Sequence, residues 1–144
     1  MTDEDGPTRE ATLYEAAHFR GASVTVRPDQ WDEGGDAVAY SLAHLGLNRL
    51  CSLRAPSFAG ETDETFRQEL TWVTTVTVWD SKPRTWTPDD GERGRSWQEY
   101  SADTADLGIW ATRAAFVRVW RRRAERPADM ADMADMVLRI VAVE

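Results

Sequence analysis

The sequence predicts an all-β fold, two Greek-key motifs packed as a β-sandwich, with an extra C-terminal strand after a short helical or linker segment. Three observations carry that prediction. Short apolar runs alternate with a period of two and end at proline or glycine, the pattern of half-buried strands. The run 70–79, LTWVTTVTVW, is almost wholly β-branched or aromatic. The chain also repeats itself weakly at a spacing of about 64 residues: Leu45-Gly46 and Arg49 to Ala55 match Leu107-Gly108 and Arg113 to Val119. Two such units of roughly 45–50 residues, each with about four strands, suit two keys in one sandwich.

Residues 1–10, MTDEDGPTRE, read as a flexible head, residues 11–121 as the sandwich and residues 122–144 as a linker or short helix plus a final strand. Two strands are expected at 11–15 and 22–26, joined through Phe19-Arg20-Gly21, and Pro28 stops the second. Asp29 to Asp36 has the glycine and aspartate content of a loop. Ala37 to Leu47 suits either a strand or a short helix ending at Gly46. Leu50 to Ala55 reads as a strand stopped by Pro56. After the strong run 70–79 comes a loop with Pro83, Pro88, Gly91 and Gly94, then a strand at 96–101. Ala102 to Ala111 holds a tight segment through Leu107-Gly108. Ala115 to Arg121 alternates apolar and basic residues as a strand does. Residues 128–136 are ADM three times after Pro127, which suits a turn or two of helix with Met130, Met133 and Met136 near one face. Residues 137–144, VLRIVAVE, form the last strand.

Composition narrows the function classes. The formal charge is −8, so the summed field repels nucleic acid. The 16 arginines and one lysine, Lys82, are read as a coding bias. The sole cysteine, Cys51, allows no disulfide within the chain and is expected to be buried. No apolar run reaches the ~18 residues of a membrane span. The acidic N-terminus has no basic region followed by an apolar one, so the expected location is the cytoplasm.

Catalytic patterns are sparse. His18 and His44 do not stand near Cys51 in a nucleophile–base spacing, and two histidines with one cysteine do not make a zinc site of the usual kind. Asp89-Asp90 and Asp103/Asp106 lie in polar, loop-like stretches and are expected to be solvated. No glycine loop has the context and lysine of a phosphate cradle. No enzyme, cofactor or metal is expected.

The stretch Leu13-Tyr14-Glu15-Ala-Ala-His18-Phe19-Arg20-Gly21 resembles the opening of a βγ-crystallin Greek key, where an aromatic and an aromatic-x-Gly form a folded hairpin. Glycine takes the strained backbone at the bend and the two aromatics pack across it. Leu45 to Ala55 resembles the end of that motif, with Ser52 as the serine that closes over the hairpin. In the second unit the resemblance runs through Gly94, Trp97, Tyr100 and Leu107-Gly108. There a longer excursion, Trp79 to Glu92, replaces a short turn, and Phe116 replaces the serine.

Many microbial members of that family bind calcium through two Asn/Asp residues, two variable residues, then Ser/Thr-Ser. The runs in this chain, Leu47-Asn48-Arg49-Leu50-Cys51-Ser52 and Ala111 to Phe116, lack most of the oxygen donors that a hard cation requires. No useful calcium affinity is expected of either. The function expected is a non-enzymatic structural or interaction module of a cytoplasmic assembly, self-associating or binding a protein partner. It would dock through a Trp/Arg-rich β surface and the C-terminal strand, with Arg121, Arg122, Arg123, Val137 and Ile140 as contacts. The alternatives are a calcium-responsive stress protein and a toxin-like or protease-inhibitor sandwich.

Overall fold

Alternating side chains along the predicted strands find two different environments, and that decides the architecture. The computed structural model describes residues 10–30, 37–56, 73–86, 97–122 and 138–144. Its strands are β1 (Ala11–Ala16), β2 (Arg20–Val26), β3 (Asp29–Gln30), β4 (Ala37–Ser41), β5 (Ser52–Arg54), β6 (Val73–Trp79), β7 (Thr85–Trp86), β8 (Trp97–Tyr100), β9 (Phe116–Arg122) and β10 (Leu138–Val143). Gly108–Ala111 form a 3₁₀ turn. Ala37 to Leu47 resolves as β4 followed by turns, with Gly46 at φ +81°. The expected 29–36 loop begins instead with β3, which pairs in parallel with β9.

One sheet has the order β2-β1-β5; the other runs β7-β10-β4-β9-β6-β8, with β3 also on β9. The halves exchange their third segments. β4, from the first half, pairs antiparallel with β9 of the second. In return Thr104 bridges Leu53 of β5. Backbone hydrogen bonds repeat this symmetry. Leu42 N–H donates to the Ala115 carbonyl at 3.1 Å, and Leu107 N–H to the Cys51 carbonyl at 2.9 Å. Cys51 N–H donates to Tyr14 O at 2.9 Å, and Ala115 N–H to Trp79 O at 2.8 Å. These bonds equate Leu107 with Leu42, not with Leu45 as sequence matching alone suggests. The sandwich is thus two Greek keys interlocked through one segment each.

Between the sheets lies the main core: Leu13, Leu50, Leu53, Val76, Val78, Val117, Val119 and their neighbours. The outer face of the larger sheet is buried as well. Trp79, Phe116, Trp120, Ala37, Ala39 and Ile140 form a second apolar cluster there. β6 is buried on both faces: Val76 and Val78 enter the main core, while the β-branched Thr75 and Thr77 and the ring of Trp79 are covered on the outer side. The basic-looking face of β9 is therefore not solvated: Arg118 is 2% exposed.

The C-terminal strand closes this second layer from within the same chain. β10 pairs in parallel with β4, Ile140 opposite Ala37 and Ala142 opposite Ala39. On its other side it meets β7 antiparallel, so the long excursion between β6 and β8 serves as its seat. Ile140 N–H donates to Arg84 O at 2.7 Å, and Lys82 pairs with Glu144 at the strand end. Ile140 is 6% exposed, and with Trp79 and Trp120 it is core, so the expected Trp/Arg docking surface lies inside the protein at these positions.

Candidate functional site

The folded hairpin of the first unit starts with β1 and β2, which pair in register from Ala11–Val26 to Tyr14–Ser23, then slip at Glu15 before Ala16–Arg20. The slip forces a tight bend. His18 and Phe19 take φ of 61° and 60°, and Gly21 takes +81°. A Cβ at Gly21 would stand 3.2 Å from Ala16 Cβ, so both the backbone angle and the space call for glycine. The bend lays Phe19 edge-on against Tyr14, ring centroids 5.7 Å apart at 73°.

Ser52 locks the bend. β5 pairs Ser52 with Tyr14, which puts the hydroxyl beneath the turn. Ser52 Oγ accepts from Phe19 N–H at 2.9 Å and donates to Ala16 O at 2.6 Å. Ser52 is fully buried and satisfies a backbone donor and a backbone acceptor of the bend at once. The first unit closes as the folded hairpin that the sequence resemblance implies. The expected positions Tyr14, Phe19, Gly21 and Ser52 are thus brought together in one place.

A polar fringe fixes the hairpin to the second unit. The Arg54 guanidinium stacks over Phe19 at 3.8 Å and pairs with Asp103 at 3.3 Å. Asp103 Oδ1 also accepts from Ala55 N–H at 2.9 Å, and Asp106 accepts from Gly108 N–H. These acids are exposed, as expected, yet they cap backbone groups. His18 is exposed and its N–H donates to Ala105 O at 2.7 Å. Glu15 Oε2 accepts from Asn48 N–H at 2.8 Å, so the run compared with calcium motifs already holds a carboxylate. Cys51 is half-buried, not fully buried as expected.

The second unit keeps the register but changes the chemistry. Phe116 pairs with Trp79 where Ser52 pairs with Tyr14, and its ring joins the second core. Tyr100 packs against the main core, and burial raises its hydroxyl pKa above the ordinary value. Leu107 is buried in that core, while Trp97 packs against the second. Arg121 and Arg122 end β9. Gly94, Arg123, Val137 and the ADM repeat lie outside the described residues.

Sequence reasoning missed a buried ion pair. Arg118 donates to Asp29 through Nε at 2.9 Å and Nη2 at 2.7 Å. Its guanidinium lies 4.5 Å from the Trp120 ring, and Trp120 Nε1 donates to Thr77 Oγ1 at 2.9 Å. Asp29 also accepts from Val38 N–H at 3.3 Å. The signal available was an arginine with apolar neighbours on both sides, Val117 and Val119; its partner stands 89 residues away in sequence. Among the described residues no three His, Cys, Asp or Glu side chains gather as a metal site would require. No described helix is long and apolar enough to cross a membrane.

Among solved structures the chain is similar to the N-terminal domain of protein S, at 18% identity and a TM-score of 0.47 over 76% of this chain and 93% of that one. It is similar to a βγ-crystallin domain from Clostridium beijerinckii, at 20% identity and a TM-score of 0.47 over 77% and 97%. Hahellin, a βγ-crystallin, gives 22% identity and a TM-score of 0.48 over 83% and 100%. The chain matches no protein-family model and no curated protein sequence.

Proposed function

We propose that the chain is a non-enzymatic structural and interaction module, working in a cytoplasmic assembly by binding a protein partner or a second copy of itself. The observation that supports this reading is how its chemically capable side chains are used. Ser52 donates and accepts beneath the hairpin, Asp29 and Arg118 neutralise each other, and Glu15 and Asp103 hold backbone N–H groups. Each group is committed to holding the fold, the opposite of a nucleophile or base left free beside a cleft.

The test is capture by the tagged full chain from its native cells, followed by calorimetric titration with whatever is captured, alongside sedimentation of the chain alone. Saturable binding of a defined protein, or a mass that grows with concentration, supports the reading. A chain that stays monomeric and titrates with nothing sinks it.

A further inference from the structure

We infer that β10 is a detachable strap: it opens as a unit with β7 while the rest of the sandwich stays folded, whether or not the chain binds a partner. Its departure leaves the main core intact. Among the described residues, none of β7 or β10 belongs to that core or packs against it. β4 keeps other holds on the sandwich. Tyr40 and Ser41 pair with Val117 and Phe116 of β9, Leu42 N–H donates to Ala115 O, and Val38 N–H donates to Asp29. Tyr40 also packs on the main core. β7 has no described strand neighbour but β10, so the two leave together.

β10 is lightly held. From Arg139 to Glu144 only Ile140 is buried; Val141 is 39% exposed, and Ala142 and Val143 are half-buried. Ile140 to Val143 run parallel to Ala37 to Tyr40, and parallel ladders are slightly weaker per residue. Against β7 it matches only Leu138 with Trp86 and Arg139 with Thr85. Lys82 and Glu144, the pair at its end, are each 58% exposed, where an ion pair contributes little. β9, by contrast, pairs with β6 along its whole length and buries Val117, Arg118, Val119 and Trp120. Segments with few buried apolar contacts open at lower free energy than the whole fold.

The connection allows the movement. β9 is antiparallel to β4 and β10 is parallel to it, so β9 ends and β10 starts at the same end of the sheet, on either side of β4. Two strand spacings separate them, ~10 Å. Residues 123–137 join them, a length that reaches ~50 Å when extended, so β10 can leave without pulling on β9. Opening bares the β4 edge together with Ala37, Ala39 and Trp120, which share the second core with Ile140. Baring that apolar face keeps the open form a minor species, so it does not split the unfolding transition.

Native-state hydrogen exchange of the full chain at rising sub-denaturing urea, with Val76→Ala and Ile140→Ala, tests this. The amides of β7 and β10, including Ile140 N–H on Arg84 O, are expected to be protected and to share one exchange rate. That rate should be at least ~10-fold faster than in β6 and β9 and should respond little to urea. Val76→Ala weakens the main core in open and closed forms alike, so it should speed β6 and β9 and leave β10 at the wild-type rate. Ile140→Ala weakens only the closed form and should speed β10 at least ~10-fold. Four results overturn the inference: β10 exchanging as slowly as β6, rates graded inward from Glu144 as in end fraying, β10 without protection, or equal acceleration of β10 and β6 by Val76→Ala. The wild-type urea series decides alone if either variant fails to fold.

Discussion

Replacing Asp29 with alanine leaves the Arg118 guanidinium without its carboxylate in a place water barely reaches. The arginine side chain is 3% exposed and the aspartate side chain 24%. Removing one partner of a buried pair costs about 3–5 kcal/mol, because the other charge stays desolvated. Asp29 keeps a quarter of its surface in water, which points to the low end, about 3 kcal/mol. Urea unfolding followed by tryptophan fluorescence reads this directly. The double variant Asp29→Ala with Arg118→Met removes the charge and keeps an aliphatic stem beside Trp120, and is expected to recover most of the loss. A cost below about 1 kcal/mol, or a double-mutant cycle with no coupling, would mean that the guanidinium finds water, and the burial argument would be wrong.

Ser52→Ala removes a donor and an acceptor beneath the hairpin and is expected to cost about 1–3 kcal/mol in chemical unfolding. Gly21→Ala adds a Cβ at positive φ against Ala16 and is expected to cost ~1 kcal/mol or more, seen as a lower melting temperature. Tyr100 is held neutral by burial, so its folded pKa lies above the unfolded 10.0; the stabilisation it gives is complete below that value and is lost as pH rises through the folded pKa. Tyr100→Phe should flatten the alkaline fall in melting temperature, and an identical fall in both proteins would remove Tyr100 as its cause. Calcium is expected to leave the melting temperature unchanged, since Glu15 already holds Asn48 N–H and Ser52 is engaged twice. A rise on adding calcium that is reversed by chelator would contradict this.

Local chemistry was legible wherever it is local. Gly21 with Phe19 two residues before it reads as a bend because a positive φ favours glycine, and β6 reads as a strand because its residues are β-branched or aromatic throughout. Ser52 was legible only through the resemblance, since its contacts lie 33 and 36 residues away. What periodicity does not reveal is which of two faces meets water. In β9, Val117 and Val119 alternate with Phe116, Arg118 and Trp120, and the arginine made the buried outer face look solvated. Its partner stands in a segment whose glycines and aspartates read as loop. Likewise β10 looks like a separable tail because nothing local says that β4 and β7 flank its place.

The exchange of segments between halves governs how the chain comes to be folded. β4 lies at 37–41, yet the strands on either side of it, β9 and β10, come last in sequence among the described strands. During synthesis the first half emerges with its third strand unmatched and its apolar Ala37 and Ala39 uncovered until β9 and then β10 are out. Loop closure of that length is entropically slow and leaves an open strand exposed meanwhile. Neither half is therefore a stopping point, and the protein should unfold in a single transition in which tryptophans of both cores, Trp110 and Trp120, report the same midpoint.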